Sequence, residues 1–360
     1  MARKKVLIIT HTRDNDCVSN VIDHINALGG DAIRFNVDRY PTAIDLTSCY
    51  ANGKWQIILK DEESHSLTDI ASVWYRRSHH IGGNVKELLA EAYYAAATGE
   101  IKRTLYGMVE ALPCFQMERY STYRRLDSKE EQLKVAASCG LQIPATCISN
   151  SPEEVKNFIN NNGEVITKMQ SSFSIRQEGI EQVVFTNQVS EADLDQLDTL
   201  QYCPMMFQQK LEKQLELRVT IVGNQCFAFS VNSQQTIDAQ IDWRRDGLKL
   251  INAWQPYPLP PEIERRLSAL MDYYKLNYGA VDLILTPDNQ YYFLEINPAG
   301  EYFWLDKLCE HAISKQIAAV LLGHTFRRNV SPIPNNRRCK AMNQNDQSSH
   351  LPVLHKGGNR

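Results

Sequence analysis

The chain has 360 residues, 43% of them hydrophobic and 22% charged, with a formal net charge of −3. That length supports two or three packed domains, and the near-neutral balance gives no general attraction to nucleic acid or to an anionic membrane. No apolar run approaches the roughly 18 residues a bilayer span requires, and nine cysteines without CxxC spacing argue against a disulfide framework or a zinc site. Cytoplasmic residence is the expectation.

Met1 to Lys5, ahead of Val6-Leu7-Ile8-Ile9-Thr10, superficially resembles a signal peptide, but Arg13-Asp14-Asn15-Asp16 ends the apolar stretch too soon. Residues 4–10 therefore read as a buried strand, 17–29 as a helix stopped by Gly29-Gly30, and 31–36 as a second strand. A β-rich stretch leads to Val73-Trp74-Tyr75-Arg76-Arg77, and a long helix follows over 85–111. This α/β unit lacks the glycine patterns of a Rossmann site or a P-loop.

A second unit begins near 112. Asp127 reads as an N-cap with Glu130 at the capping-box position, giving a helix over 128–139 that Gly140 ends. A strand from Thr146, a helix near 151–161 and a strand over 164–168 follow; Lys168 closes that strand, as a snorkelling surface lysine or as a phosphate ligand. Residues 170–186 read as a hairpin, and Glu191 starts a helix. Strands at 205–211, 216–222 and 225–232, a helix near 261–275 and another near 309–322 complete a third unit. From 327 onward basic residues dominate and apolar ones are few, which predicts a disordered tail. The boundaries are thus 1–111, 112–200, 201–326 and 327–360.

The most informative stretch is Val281 to Pro298. Two apolar runs flank Pro287-Asp288-Asn289, a hairpin signature. With the turn centred between Asp288 and Asn289, Asp282 faces Glu295 and Asn297 lies two residues on, on the same face. Like charges facing each other among Val, Leu, Ile and Phe would destabilise an ordinary hairpin. A divalent cation removes the conflict, and two carboxylates plus an amide oxygen suit Mg²⁺ holding a nucleotide. The alternation of Leu215 to Val222 puts Glu216, Arg218 and Thr220 on one face. Glu216 and Arg218 either pair with each other at a surface, worth about 0–1 kcal/mol, or face ribose and phosphate in a cleft. Asp242-Trp243-Arg244-Arg245 forms a charged cluster on a predicted loop, and Met206 to Leu211 reads as a strand leading into a linker that can offer backbone groups to an adenine edge. Trp74 and Phe303 read as core.

Lys129, Lys168, the Phe207-to-Leu211 linker, Glu216-Leu217-Arg218 and Asp282…Glu295-Ile296-Asn297-Pro298 resemble, in order and spacing, the ATP-grasp carboxylate–amine/thiol ligases. More narrowly, Trp74-Tyr75-Arg76-Arg77, Tyr202 to Gln208, Asp242-Trp243-Arg244, Trp254-Gln255-Pro256-Tyr257 and Glu295 to Leu305 are similar to the peptide-cyclising ligases of microviridin (graspetide) biosynthesis. The likeness covers about residues 4–325. It implies a mixed α/β and α+β fold of three domains, with nucleotide between two lobes behind an N-terminal α/β domain. It implies ATP and Mg²⁺ as cofactors, a ribosomal precursor peptide with leader and core as partner, and self-association.

By this resemblance Asp282, Glu295 and Asn297 hold Mg²⁺, Lys129 and Lys168 hold phosphates, Gln209, Lys210 and Leu211 hold adenine, and Glu216 holds ribose. Arg218 and Arg244 stabilise charge on the γ-phosphate and the acyl phosphate, and Asp242 and Arg244 also orient the acidic core residue; the sequence does not identify the base that a hydroxyl nucleophile needs, for which Asp242 is a candidate. Ser172, Phe173 and Asp193 lie in the segment that binds the leader, although Asp193 equally suits a helix N-terminus. Two positions depart from the family: Gln209 stands where many relatives have Glu, and Ala280 where some ligases have Arg. The implied reaction activates an Asp or Glu side chain and closes an ester ring with Thr or Ser. The alternatives are amide closure with Lys, amino-acid addition to another acceptor, and a non-catalytic ATP-binding regulator.

Overall fold

The computed structural model describes residues 3–78, 80–83, 85–170, 174–177, 180–235 and 239–328, with 174–177, 180–183 and 246–248 described by backbone alone. Near the N-terminus, Lys5–Thr10 lies between parallel neighbours Asp31–Asn36 and Ser72–Tyr75, with Phe115–Gln116 outermost. Strands buried on both faces need no polar alternation, hence the run Val6-Leu7-Ile8-Ile9. A three-stranded antiparallel sheet, Asp45–Ala51, Lys54–Lys60 and Ser64–Ser66, is inserted between the second and third parallel strands. The expected helix over 85–111 is interrupted: Val85–Leu88 and Glu91–Ala111 are separated at Ala90, whose backbone is extended.

This N-terminal sheet shares its core with the helix Ala312–Leu322. Val6, Ile8, Val18, Val21 and Ile25 pack in one cluster with Ile313, Ile317, Val320 and Leu321 of the helix Ala312–Leu322. A Cβ on Gly30 would meet Leu322 Cδ2 at 2.7 Å, so the turn after the first helix admits no side chain. Arg327 donates to the carbonyls of Val320 and Leu321 at 2.7 and 2.8 Å, and Arg328 binds Asp272 at 2.7 Å. The first two residues of the expected basic tail thus belong to the fold; 329–360 lie outside the described residues.

The middle of the chain forms a four-stranded antiparallel sheet in the order Asn187–Gln188, Val165–Lys168, Met205–Gln209, Thr146–Ser149. The expected hairpin over 170–186 is seen in the antiparallel strands Ser174–Gln177 and Ile180–Val183. A five-stranded antiparallel sheet follows, ordered Gln255–Pro256, Gln225–Val231, Leu215–Val222, Tyr278–Leu285, Tyr291–Asn297. Its inner face, with Leu217, Val219, Ile221, Val281 and Leu283, packs on the helices Lys129–Ser138 and Pro261–Tyr274. No helix among the described residues is long and apolar enough to cross a membrane.

Glu118 ties these units together. It is 1% exposed, and Oε1 accepts the N–H groups of Asn277 and Tyr278 at 2.8 and 2.6 Å. Oε2 has no hydrogen-bond partner among the described residues. Burial pushes this carboxyl well above the ordinary range despite those two donors. A neutral amide supplies the same acceptor, so Glu118→Gln should leave stability at neutral pH equal or higher. Glu118→Ala strands two buried N–H groups and should cost about 2–4 kcal/mol in denaturant unfolding. The folded state holds a proton here that the unfolded chain releases. Wild type should therefore lose stability as pH rises from the unfolded carboxylate pKa toward the folded one, and Glu118→Gln should remove that slope.

Candidate active site

The acidic hairpin consists of Tyr278–Leu285 and Tyr291–Asn297, and Asp282 pairs with Glu295 and Ala280 with Asn297, as the sequence predicts. The turn, however, is not centred where expected. Residues 286–290 form a five-residue loop with Asn289 in the left-handed region (φ 61°), and Leu283 pairs with Phe293 rather than Leu294. A β-bulge next to Leu283 restores the register at the acids. It also explains why Phe293 and Ile296, three residues apart, both enter the core.

Gln132, buried in the helix Lys129–Ser138, secures the bulge. Its Oε1 accepts the Ile296 N–H at 3.0 Å while its Nε2 donates to Leu126 O at 2.5 Å. One turn earlier, Lys129 Nζ reaches Glu295 Oε2 at 2.6 Å. Residues three apart share a helix face, so one helix supplies both contacts. Its N-cap is Ser128, whose hydroxyl accepts the Glu131 N–H at 3.2 Å; the expected cap, Asp127, ends the preceding helix.

Arg218 stands opposite Asp282 on the neighbouring strand, with Nε 3.2 Å from Oδ1. The contact lacks hydrogen-bond alignment, and Nε is buried without a hydrogen-bond partner among the described residues. The guanidinium lies 5.8 Å from the Trp304 ring centroid. Glu216 does not pair with Arg218. It accepts from Lys213 Nζ at 3.0 Å, and Lys213 also donates to Ile241 O at 2.9 Å. Lys168 makes no ion pair among the described residues. Burial lowers its pKa, with Glu295 opposing that shift and Lys129 adding to it.

The two carboxyls are pushed in opposite directions. Burial raises Asp282 to about 6 against the pull of Arg218, with Glu295 adding to the rise. Burial acts on Glu295 as well, but Lys129 and Lys168 outweigh it and bring the group to about 2. Among the described residues no three His, Cys, Asp or Glu side chains cluster for a metal. Two carboxylates and an amide oxygen are nonetheless a set that Mg²⁺ accepts when phosphate oxygens and water complete its shell. The cationic ring of Lys129, Lys168 and Arg218, with one guanidinium nitrogen unpartnered, fits the phosphates that such an ion would carry.

Arg244 and Asp242 form a fork, Nε to Oδ1 at 2.8 Å and an Nη to Oδ2 at 2.5 Å. Asp242 further accepts the N–H groups of Arg244 and Thr186 at 3.1 and 3.2 Å. Burial raises its pKa, but these partners outweigh that and hold the carboxyl below its ordinary value. Asp242 thus holds Arg244 in place, just ahead of a short 3₁₀ turn over Trp243–Asp246 where a loop was predicted.

At the adenine linker, Gln209 N–H donates to Ala145 O at 2.9 Å and Lys210 N–H to Glu164 O at 2.8 Å. Those donors are used inside the fold, which leaves the carbonyls and Leu211 for a base edge. Asp193 closes a capping box with Ser190, accepting its N–H at 2.8 Å and its hydroxyl at 2.7 Å, both through Oδ2, as a helix N-terminal acid does. Ser172 and Phe173 lie outside the described residues. Trp74 is core, and Phe303 packs against the same cluster.

Sequence reading assigned no role to the clamp after Asn297. Arg76, 1% exposed, donates to Ala299 O at 2.7 Å and Glu301 Oε2 at 2.6 Å, and Arg77 binds the other oxygen of Glu301. The Arg-Arg pair and the Asn-Pro-Ala-Gly-Glu run were visible in the sequence, but nothing local links residues 225 positions apart. Ala280 also finds its reason here. A Cβ on Gly300 would lie 2.3 Å from Ala280 Cβ, so the loop rests directly on the strand and position 280 has no room for Arg. Gly300→Ala should cost roughly 1–3 kcal/mol in denaturant unfolding by overpacking, and should weaken ADP binding measured by calorimetry, because the displaced loop carries Asn297.

A model of the MvdD pre-ATP grasp domain matches residues 5–124, and one of the RimK-like ATP-grasp domain matches residues 126–321. No curated protein matches the chain. Among solved structures, a RiPP-associated ATP-grasp ligase of Chryseobacterium gregarium, in complex with ADP and a leader and core peptide, is 50% identical. It superimposes with a TM-score of 0.88 over 90% of this chain and 98% of its own. The macrocyclase MdnC of Microcystis aeruginosa MRC, bound with precursor peptide MdnA, is 40% identical with a TM-score of 0.80, over 89% and 99% of the two chains. The macrocyclase MdnB of the same organism is 30% identical with a TM-score of 0.74, over 88% and 99%. With more than half its length inside one domain model and half its residues shared with such a ligase, the chain belongs to the RimK-like ATP-grasp carboxylate ligases, preceded by an MvdD-type domain.

Proposed function

We propose that this protein uses ATP and Mg²⁺ to activate Asp or Glu side chains of a ribosomally made precursor peptide and closes them onto Thr or Ser hydroxyls as macrolactones. The observation that carries this reading is the pairing of Asp282 with Glu295, next to Asn297 and ringed by Lys129, Lys168 and Arg218. The relatives support the peptide substrate: one was solved with a leader and core peptide, another with its precursor. In this reading residues 1–111, 112–200 and 201–326 act as three lobes.

A carboxylate resists nucleophiles because of its own charge. One of its oxygens attacks the γ-phosphorus of ATP, ADP departs, and the resulting acyl phosphate is an electrophile with a good leaving group. The hydroxyl then adds to the carbonyl carbon, inorganic phosphate leaves, and the hydroxyl proton passes to solvent or to a base. Phosphoryl transfer of this kind needs positioning and charge neutralisation more than covalent help. Asp282, Glu295 and Asn297 would hold Mg²⁺, which when bound polarises the transferring group. Lys129 and Lys168 bind phosphate oxygens, Glu216 the ribose, and Leu211 with the Gln209 and Lys210 carbonyls the adenine. Arg218 draws off charge at the γ-phosphate. Arg244, fixed by Asp242, faces the acidic residue of the core peptide.

Mass spectrometry tests the reading. A candidate precursor incubated with enzyme, ATP and Mg²⁺ should lose one water mass per ring, and mild base should restore the mass, because esters open and amides do not. Asp282→Ala and Arg244→Ala should each abolish water loss while the circular dichroism spectrum stays unchanged. Full activity in either variant refutes the role assigned to that residue, and base-resistant rings would make the product an amide. ADP binding with no turnover in the presence of peptide would favour a regulatory role.

A further inference from the structure

We propose that Arg76, from the N-terminal sheet, is a positioning residue for the Asn297 side chain. The inference rests on the reading of Asn297 as a ligand of the Mg²⁺–nucleotide complex. Two consecutive hydrogen bonds make the connection. Arg76 Nη1 donates to Ala299 O at 2.7 Å, and Ala299 N–H donates to Asn297 Oδ1 at 2.8 Å. An amide oxygen has two lone pairs. With one committed to Ala299, Oδ1 is aimed and the other remains for a cation. Asn297 is the last residue of its strand and is exposed; the hairpin holds the loop at Gly300, whose carbonyl accepts from Tyr278 OH at 2.7 Å, and Arg76 holds it at Ala299, the residue that binds Oδ1.

The remaining contacts hold Arg76 still. Its other Nη donates to Glu301 Oε2 at 2.6 Å, Asn15 Nδ2 reaches the same oxygen at 2.9 Å, and Arg77 holds the second oxygen of Glu301. Asp14 Oδ2 lies 3.9 Å from Arg76 Nε. A planar guanidinium can grip a carbonyl and a carboxylate together, which an ammonium cannot do in the same geometry. The loop between Asn297 and Glu301 is therefore fastened at one end by the metal-ligand strand and at the other by the N-terminal sheet. Groups that orient a metal ligand in this way typically change affinity by about 10–100-fold when removed.

The test is ADP binding by calorimetry across a series of Mg²⁺ concentrations, alongside the thermal midpoint. Arg76→Met should raise the Mg²⁺ concentration for half-maximal binding by about tenfold or more, and Arg76→Lys, which keeps one donor toward Ala299, should fall between it and wild type. Glu301→Gln, which removes the charge that grips the guanidinium and one of the two acceptors, should shift the Mg²⁺ requirement in the same direction; it and Arg76→Lys carry the test should Arg76→Met fail to fold. A lowered thermal midpoint with an unchanged Mg²⁺ requirement in Arg76→Lys and Glu301→Gln would overturn the proposal, because a purely structural clamp behaves that way. Wild-type ADP binding indifferent to Mg²⁺ would overturn the reading of the site and this inference with it. Mg²⁺-dependent wild type with indifferent variants overturns the inference alone.

Discussion

Asp282 and Glu295 are held side by side, half-buried, across two strands, and much of the surrounding architecture compensates for that repulsion. At a cross-strand separation of about 5 Å, two unit charges at an effective dielectric near 20 repel by roughly 3 kcal/mol. A hairpin alone could not hold them. Lys129 and Lys168 bring one acid down while the other stays raised, with Arg218 beside it. The two carboxyls are thus shifted in opposite directions by their surroundings. Each compensating charge comes from a different element: a helix, a strand of the middle sheet, and the strand beside Asp282 in the five-stranded sheet.

Backbone devices set the geometry of that pair. The bulge next to Leu283 lets a five-residue loop coexist with the acid pairing, and Gln132 fills the hydrogen-bonding demand that it creates. Because Gln132 and Lys129 share one helix face, the contact that secures the bulge also sets the distance from the lysine to Glu295. The same economy recurs at Lys213, which bridges Glu216 and the carbonyl preceding Asp242, joining the expected ribose site to the turn that carries Arg244. Trp304, in a ring cluster with Trp243 and Trp254, backs Arg218, and the Arg244 guanidinium lies 5.9 Å from the Phe185 ring centroid.

The N-terminal α/β unit is more than an appendage to the two nucleotide lobes. Its first helix packs on the helix Ala312–Leu322, Glu118 binds the start of the acidic hairpin, and Arg76 grips the loop that leaves the hairpin's second strand. Binding chemistry and the N-terminal sheet are therefore mechanically joined through buried charge. A buried ion pair with one partner removed is costly, which keeps such a joint from slipping.

Hydrophobic periodicity and turn residues in the sequence determined most elements and the facing of Asp282 and Glu295, because these depend on neighbours within a few positions. The helix at Lys129 was displaced by one residue at its cap, since Asp127 and Ser128 are both competent caps and only packing chooses between them. The facing of the acids was right although the turn was misplaced: the bulge cancelled the error, and a bulge leaves little mark beyond the three-residue spacing of Phe293 and Ile296. Several charges had more than one candidate partner, and the folded structure decided which was taken. Glu216 takes Lys213 instead of Arg218, Asp242 is consumed by Arg244, and Asp193 by its own cap. Arg76 and Glu301 meet across most of the chain. Side-chain pairing at that range is governed by how sheets stack and which groups lose water together, and no local pattern encodes it.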